Sequence, residues 1–443
     1  NCRFHRFSLP ACGRFPVPGG GGSSQPADGD GNGGAAGGGS EATGEPTTLT
    51  LWTFNDLHTD YYRKTVELWN EEHPEQPIDL VIDTYPNNEM HTKLLIALQS
   101  GVGAPDIADI NINFFHNFLK GDIQLVELND IIEPELSQFV KSRFDIYSKD
   151  GKYYGIGFHV GATVVYYNKE IMDQAGVDIE SIKTWDDYIE AGKKVLAATG
   201  KPMTAFEITN QRPFWPMIVQ RGSDYLSEEG VILDNETNIE VLQAMYDMIY
   251  EHEIAIPMPG GNTGSEEFFA FMNNGGIASL IMPMWYMGRF TSYMPDLEGK
   301  ILIRPMPVWE EGDFRSAGMG GTGTSITKQS EHIDLAKQFL AYAKLTKEAN
   351  IRIWQELQFD PIRWDVWDAP ELQEPLEYFG NEVVFNTLLE LKDEIASPYY
   401  NELSSAAQDL VMNDVMFKAL SERIATPEEA LREAADELRS QQE

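Results

Sequence analysis

From Thr48 onward the sequence alternates short apolar runs with amphipathic ones, and this alternation restricts the fold more than any other feature. "TLTLWTF" (residues 48–54) switches between polar and apolar side chains as a half-buried strand does. "YRKTVELWNEEHP" follows with apolar residues at helical spacing and stops at Pro74. "PIDLVIDTY", "NEMHTKLLIALQSG" and "PDIADIN" continue the order strand, helix, strand. Further along, "TWDDYIEAGKKVLAATG" predicts a helix capped by Thr184, "IASLIMP" an apolar strand, and "TPEEALREAADELRSQ" a capped terminal helix. Strands separated by helices at intervals of roughly 20 to 30 residues are βαβ units, so the predicted class is α/β with a largely parallel sheet. A chain of 443 residues is too long for one core and predicts two domains.

Composition narrows the function. The formal charge of −37 comes from 70 acidic against 33 basic residues. Such a surface repels phosphates and argues against a nucleic acid partner. No run of about 18 apolar residues is present to span a bilayer. The two cysteines, Cys2 and Cys12, both lie near the N-terminus, so the predicted cores hold no disulfide, thiolate nucleophile or cysteine-ligated metal. Residues 1–47 read as a disordered tail and linker, since their Gly, Ser, Ala, Pro and acidic residues cannot bury enough apolar area to order the chain. Within it "LPAC" (residues 9–12) is similar to a bacterial lipobox, which makes Cys12 a candidate lipid anchor. The preceding "NCRFHRFS" is not the apolar stretch such a signal needs.

Signatures of catalysis are missing. "GMGGTG" (residues 318–323) fits G-x-G-x-x-G, but strand-like "TSIT" follows where a helix would have to hold a pyrophosphate. No P-loop, H-E-x-x-H or G-x-S-x-G occurs, and the eight histidines show no metal-ligand spacing. The expectation is no catalytic residue, no metal and no cofactor. What remains is a set of aromatics and amides at predicted strand ends, where open α/β sheets bind ligands. Trp52, Phe54 and Asn55 follow the first strand, and Asn111, Asn113, Phe114 and His116 the third. Phe158 and His159 fall inside "DGKYYGIGFHVGATVVYYNKE" (residues 150–170), a stretch too aromatic and glycine-rich for a surface loop. Phe214 and Trp215 follow "AFEITNQRP", and Trp285 follows "IASLIMP". Flat rings beside amide donors and acceptors suit a sugar, whose C–H face stacks while its hydroxyls take paired hydrogen bonds.

Three segments carry a family resemblance: "GKYYGIGFHVGATVVYYNKEIMDQAGVDIESIKTWDDYIEAGKKV", "FFAFMNNGGIASLIMPMW" and "TPEEALREAADEL", with "SGVGAPDIADI" a weaker fourth. On these the chain resembles the extracellular solute-binding proteins of bacterial ABC importers, in the carbohydrate-binding family that includes maltose-binding protein. The resemblance spans about residues 48 to 440. It implies a two-lobe periplasmic-binding-protein (type II) fold with a ligand cleft between the lobes. The N-terminal lobe would comprise 48–158 plus 322–370, and the C-terminal lobe 159–321 plus 371–443. Crossings are implied near 158–163 and 317–323, with a third near 368–376. Gly161, Gly320 and Gly321 then lie at the cleft floor, and Trp364 joins the ligand-facing set. Asn113 and Gly161 stand where maltose-binding protein has acidic ligand residues, which argues against maltodextrins. The implied function is an extracytoplasmic receptor, monomeric and tethered by an N-terminal lipid, that delivers a neutral sugar, preferably an oligosaccharide, to membrane permease subunits. Two alternatives stay open: the same fold for a non-sugar solute such as a peptide or polyamine, and a glycan-cleaving enzyme, which would need a paired carboxylate site.

Overall fold

The computed structural model describes residues 44–442, so Cys12 and most of the tail lie outside the described residues. The described chain opens with β1 (Thr47–Thr53), α1 (Asp56–Glu72), β2 (Ile78–Thr84), α2 (Asn87–Ser100) and β3 (Ile107–Asn111). β1 runs parallel to both β2 and β3. Helix α1 starts where the Asn55 side chain accepts the Leu57 N–H at 3.0 Å, and it buries Tyr61, Tyr62, Thr65 and Trp69 at helical spacing. The first sheet is completed far along the sequence, by Thr322–Ile326 pairing antiparallel to β3.

A second sheet forms from the middle of the chain. The strands of this region are β4 (Thr163–Asn168), β5 (Thr204–Phe206), β6 (Ala255–Pro257), β7 (Ser279–Pro283) and β8 (Ile301–Pro305); β4, β7 and β8 form the sheet, β5 and β6 a two-stranded sheet beside it, and the returning strand Thr322–Ile326 is β9. β4 lies between β7 and β8 and is antiparallel to both. β5 pairs in parallel with β6, and the Ser279 N–H donates to the Met203 carbonyl at 2.8 Å beside it. The expected largely parallel arrangement therefore describes β1 to β3 and fails for the centre of the second sheet. The reason is burial: β4 and β7 are covered at every residue, and a continuous apolar run reads the same in either direction. Direction is set by the route. β4 starts at the junction between the sheets and runs outward, and β7 runs back, so that Pro283 pairs with Thr163.

Two crossings join the sheets. Ile156 still bridges Thr324 of β9, whereas Ala162 already bridges Gly318 and accepts the Met284 N–H at 2.9 Å. On the return, Gly318 faces Ala162, the Gly321 carbonyl accepts the Ile112 N–H at 3.0 Å, and Thr322 pairs with Asn111. The crossings touch where the Met319 N–H donates to the Gly161 carbonyl at 2.8 Å. Gly161 has φ +69°, and a Cβ there would stand 2.2 Å from the Met319 carbonyl oxygen, so only glycine fits. Arg143, buried, donates to the Gly318 and Gly320 carbonyls at 3.3 and 2.5 Å. Asp360 holds the other side: its carboxyl accepts the Gly161 N–H at 3.1 Å and the Ala162 N–H at 2.9 Å, and its carbonyl accepts the Val160 N–H at 2.9 Å.

Burial pushes the Asp360 carboxyl up to about 7, more than the two N–H bonds pull it down. A carboxyl with a raised folded-state pKa stabilises the fold fully below its unfolded value of about 4, and that contribution is lost as pH rises through about 7. Asp224, also pushed up to about 7 by burial, acts in the same sense. His159, His91 and His116, held below the ordinary imidazole value by burial, act in the opposite sense over part of this range, so the variant isolates the carboxyl: the melting temperature of Asp360→Asn relative to the parent should rise between pH 5 and pH 8. Calorimetric scans of both proteins across that range check this; an unchanged slope in the variant would remove Asp360 from the account.

Candidate functional site

A cavity of about 380 Å³ opens where the crossings meet the strand ends of both sheets. Residues just beyond β1 and β3 form one wall: Phe54 and Asn55, then Asn111 and Asn113. The side-chain oxygens of Asn55 and Asn111 cap the turns that follow, accepting the Leu57 and Asn113 N–H groups at 3.0 Å each. Their Nδ2 donors remain for another partner. Gly320, Gly321 and His159 form the floor. Burial, reinforced by the charge of Arg143, holds the His159 imidazole well below its ordinary pKa, so it is neutral, and its buried Nδ1 has no hydrogen-bond partner. A neutral imidazole can both donate to and accept from a hydroxyl.

The opposite wall comes from the second sheet. Asn210, Gln211 and Arg212 follow β5, and Trp215 stands on the helix Phe214–Val219. The Trp215 indole is locked by its Nε1 donating to Asp224 at 2.8 Å and by stacking on Tyr225 at 5.1 Å. Trp285 emerges two residues after β7, half-buried, its Nε1 donating to the Met319 carbonyl at 3.2 Å. A Cβ on Gly320 would stand 3.3 Å from that same Nε1, so the floor glycine leaves room for the ring. Arg289, Phe359, Tyr400 and Met412 also line the cavity, together with Leu57, His58, Ile112, Met319 and Thr322.

Nine predicted residues thus meet on one cavity: Phe54, Asn55, Asn111, Asn113, His159, Trp215, Trp285, Gly320 and Gly321. Five others do not line it. Trp52 points to the far face of β1, packing on Tyr85 at 5.5 Å with the Lys93 ammonium 4.8 Å over its ring. Phe114 stacks on His91 at 4.4 Å, and Phe214 is fully buried against Tyr225. Gly161 is enclosed where the crossings touch and reaches no ligand space. Trp364 donates to the Ser137 carbonyl at 3.0 Å under Lys392, away from the cavity. Phe158, expected to touch ligand, is core instead: the Lys344 ammonium sits 3.3 Å over its ring and the His58 ring packs against it, tilted, at 4.2 Å. His116 stacks on Tyr400 at 5.8 Å behind the wall.

Sequence reasoning passed over Asn210, Gln211, Arg212, Arg289, Phe359, Tyr400 and Met412. The run "TNQRPFW" directly after a sheet strand was a signal for the first three. Arg289, four residues after Trp285 in a helical stretch, could have been placed on the same face.

Beneath the first wall lies a closed polar network. The Asp109 carboxylate accepts from His58 Nδ1 at 2.9 Å, Tyr62 at 2.8 Å, Thr53 at 2.7 Å and Thr324 at 2.6 Å. Burial alone would raise its pKa, but the bond from His58 and the charges of His58 and Lys344 outweigh it and hold the carboxyl well below the usual range. Lys344, pulled down to about 7 by burial, donates to the Ile156 carbonyl at 2.9 Å and to Thr324, tying β9 to the first crossing. These charges are spent on structure. Among the described residues no Asp or Glu lines the cavity, and no cluster of metal-ligating side chains exists.

Comparison with known proteins fits this geometry. Residues 55–350 match the family model described as bacterial extracellular solute-binding protein. The chain is 53% identical over 395 residues to an arabinooligosaccharide-binding protein of Halalkalibacterium halodurans, covering 88% of this chain and 89% of the relative. It is 50% identical over 406 residues to the arabinooligosaccharide-binding protein of Bacillus subtilis, covering 90% and 93%. Among solved structures, the sugar-binding protein MalE of Xanthomonas citri superposes with a TM-score of 0.76 at 17% identity, covering 89% of this chain and 98% of that one, and shares the two-lobe architecture. A two-lobe fold with aromatics and amides facing each other across a cleft, and these likenesses over nine-tenths of the chain, lead to one assignment: the chain belongs to the bacterial extracellular solute-binding protein family.

Proposed function

We propose that this chain captures an arabino-oligosaccharide outside the cell membrane and presents it to the permease subunits of an ABC importer. The observation that carries this reading is the likeness, at 50% identity or more over most of both chains, to two proteins named for arabinooligosaccharide binding. The cavity supports it: Trp215 and Trp285 offer ring faces, and Asn55, Asn111, Asn210 and Gln211 offer amides. The lobes comprise 48–158 with 322–370 and 159–321 with 371–443, and ligand held by both walls favours their closure. The protein acts as a monomer, anchored through a lipid on Cys12, and returns its sugar chemically unchanged. Its acidity keeps it off nucleic acid. A non-sugar ligand such as a polyamine is disfavoured, since no carboxylate lines the cleft to meet its cations.

Arabinotriose, maltotriose and lactose titrated calorimetrically into the protein distinguish the readings. Arabinotriose should bind most tightly and be recovered intact by chromatography. Tighter binding of maltotriose or lactose, or cleavage that follows the protein through purification, would overturn the proposal.

Trp285→Ala should weaken arabinotriose binding by about 1 to 3 kcal/mol, the scale of losing one buried aromatic contact. The fold should survive, because the ring is only half-buried at the cavity edge. Unchanged affinity in a folded variant would take Trp285 out of the site.

A further inference from the structure

In a chain of formal charge −37, the cleft is lined by Arg212, Arg289 and two histidines and by no carboxylate. Arg212 is matched, its Nε donating to the buried Glu207 at 3.2 Å. Arg289 is not. Among the described residues its one protein hydrogen bond goes from Nη1 to the Trp285 carbonyl, at a long 3.4 Å, and no ion pair reaches it. The other partly buried guanidiniums of the second sheet and its surroundings are treated differently: Arg304 pairs with Glu180 and Glu382, Arg315 with Glu390 and Glu394, and Arg363 with Glu135 and Asp365. Arg143, the other buried arginine lacking a carboxylate, gives Nη1 and Nη2 to the Gly318 and Gly320 carbonyls and keeps a buried Nε without a partner, but it does not line the cavity.

Among the described residues Arg289 is therefore a cation without a carboxylate partner, and it lines the cavity between the two walls. Partial burial disfavours its charge, which an anion beside it would stabilise. The Arg289 and Arg212 guanidiniums stand over the Trp285 ring, 5.3 and 5.9 Å from its centroid, so a sugar that enters beside this ring meets both. A planar guanidinium with open donors matches a carboxylate through two parallel hydrogen bonds, which a hydroxyl cannot reproduce. The acidic outer surface does not cancel this local preference, because screening at physiological salt limits exposed charges to about 8 Å.

We propose that the cleft takes arabino-oligosaccharides that bear a carboxylate, as a uronate or aldonate residue, with the carboxylate paired to Arg289 beside Trp285. This rests on the arabino-oligosaccharide reading and replaces a neutral ligand with an acidic one.

The test compares three ligands by calorimetry: arabinotriose, the same trisaccharide oxidised at its reducing end to the aldonate, and a glucuronosylated arabino-oligosaccharide. At least one acid should bind the parent protein about tenfold or more tighter than arabinotriose. Arg289→Lys should keep a preference for acid, and Arg289→Gln should lose it, the acid suffering about tenfold more than the neutral sugar. The comparison in the parent protein stands even if a variant fails to fold. Binding of arabinotriose with no preference for either acid, or a preference that survives in Arg289→Gln, would overturn the inference alone. Failure of all three sugars to bind would overturn both this inference and the reading it rests on.

Discussion

The contact between the two crossings, Met319 N–H to the Gly161 carbonyl, is what the rest of the molecule is arranged around. It brings two backbones closer than any side chain allows, which is why residue 161 has a positive φ and no Cβ. Arg143 grips one crossing through its carbonyls and Asp360 grips the other through its N–H groups. Buried backbone groups that no sheet can pair are satisfied in this way. The strand ends of two independently built sheets then face a common floor, and the ligand site is the space between them.

Charge is divided between structure and surface. Buried charges are mostly enclosed: Asp109 with its four donors, Lys344 on the first crossing, Arg143 on two carbonyls, Arg363 with Glu135 and Asp365, Glu207 with Arg212. Most of the 70 acidic residues are left for the exterior, where they keep the protein soluble and contribute little to the fold. The cleft belongs to neither class. Its wall is aromatic, amide and cationic, with a histidine kept neutral by burial. That composition suits a polyhydroxylated ligand held by hydrogen bonds and stacking.

Much of this was legible in the sequence, and the limits have physical causes. The alternating pattern of β1 and the capped helices Trp185–Thr199 and Pro427–Ser440 gave clear signals, because their caps and periodicities are local. Strand direction in the second sheet was not legible, since fully buried strands carry no polar face to orient them. At the site, reading strand ends found the correct loops but not always the correct side chain. Adjacent residues on a helix point about 100° apart, so Phe214 goes to the core while Trp215 meets the cavity, and no pattern of one sequence decides between two such aromatics. Alternation along β1 could have set Trp52 aside, as Leu51 and Thr53 occupy the other face. Tyr400 and Met412 were out of reach altogether. They arrive through the packing of the C-terminal segment, where Ser405 donates to the Asn113 carbonyl at 2.5 Å, across nearly 300 residues of sequence.

The central claim is that one ligand is held at once by residues beyond the ends of both sheets. A crystal structure of the protein with an arabino-oligosaccharide tests it most directly. The account predicts a sugar ring against Trp285 or Trp215, with hydroxyls bonded to Asn55 or Asn111 on one side and to Asn210 or Gln211 on the other. A sugar bound outside this cavity, or one touching residues of a single sheet only, would contradict it.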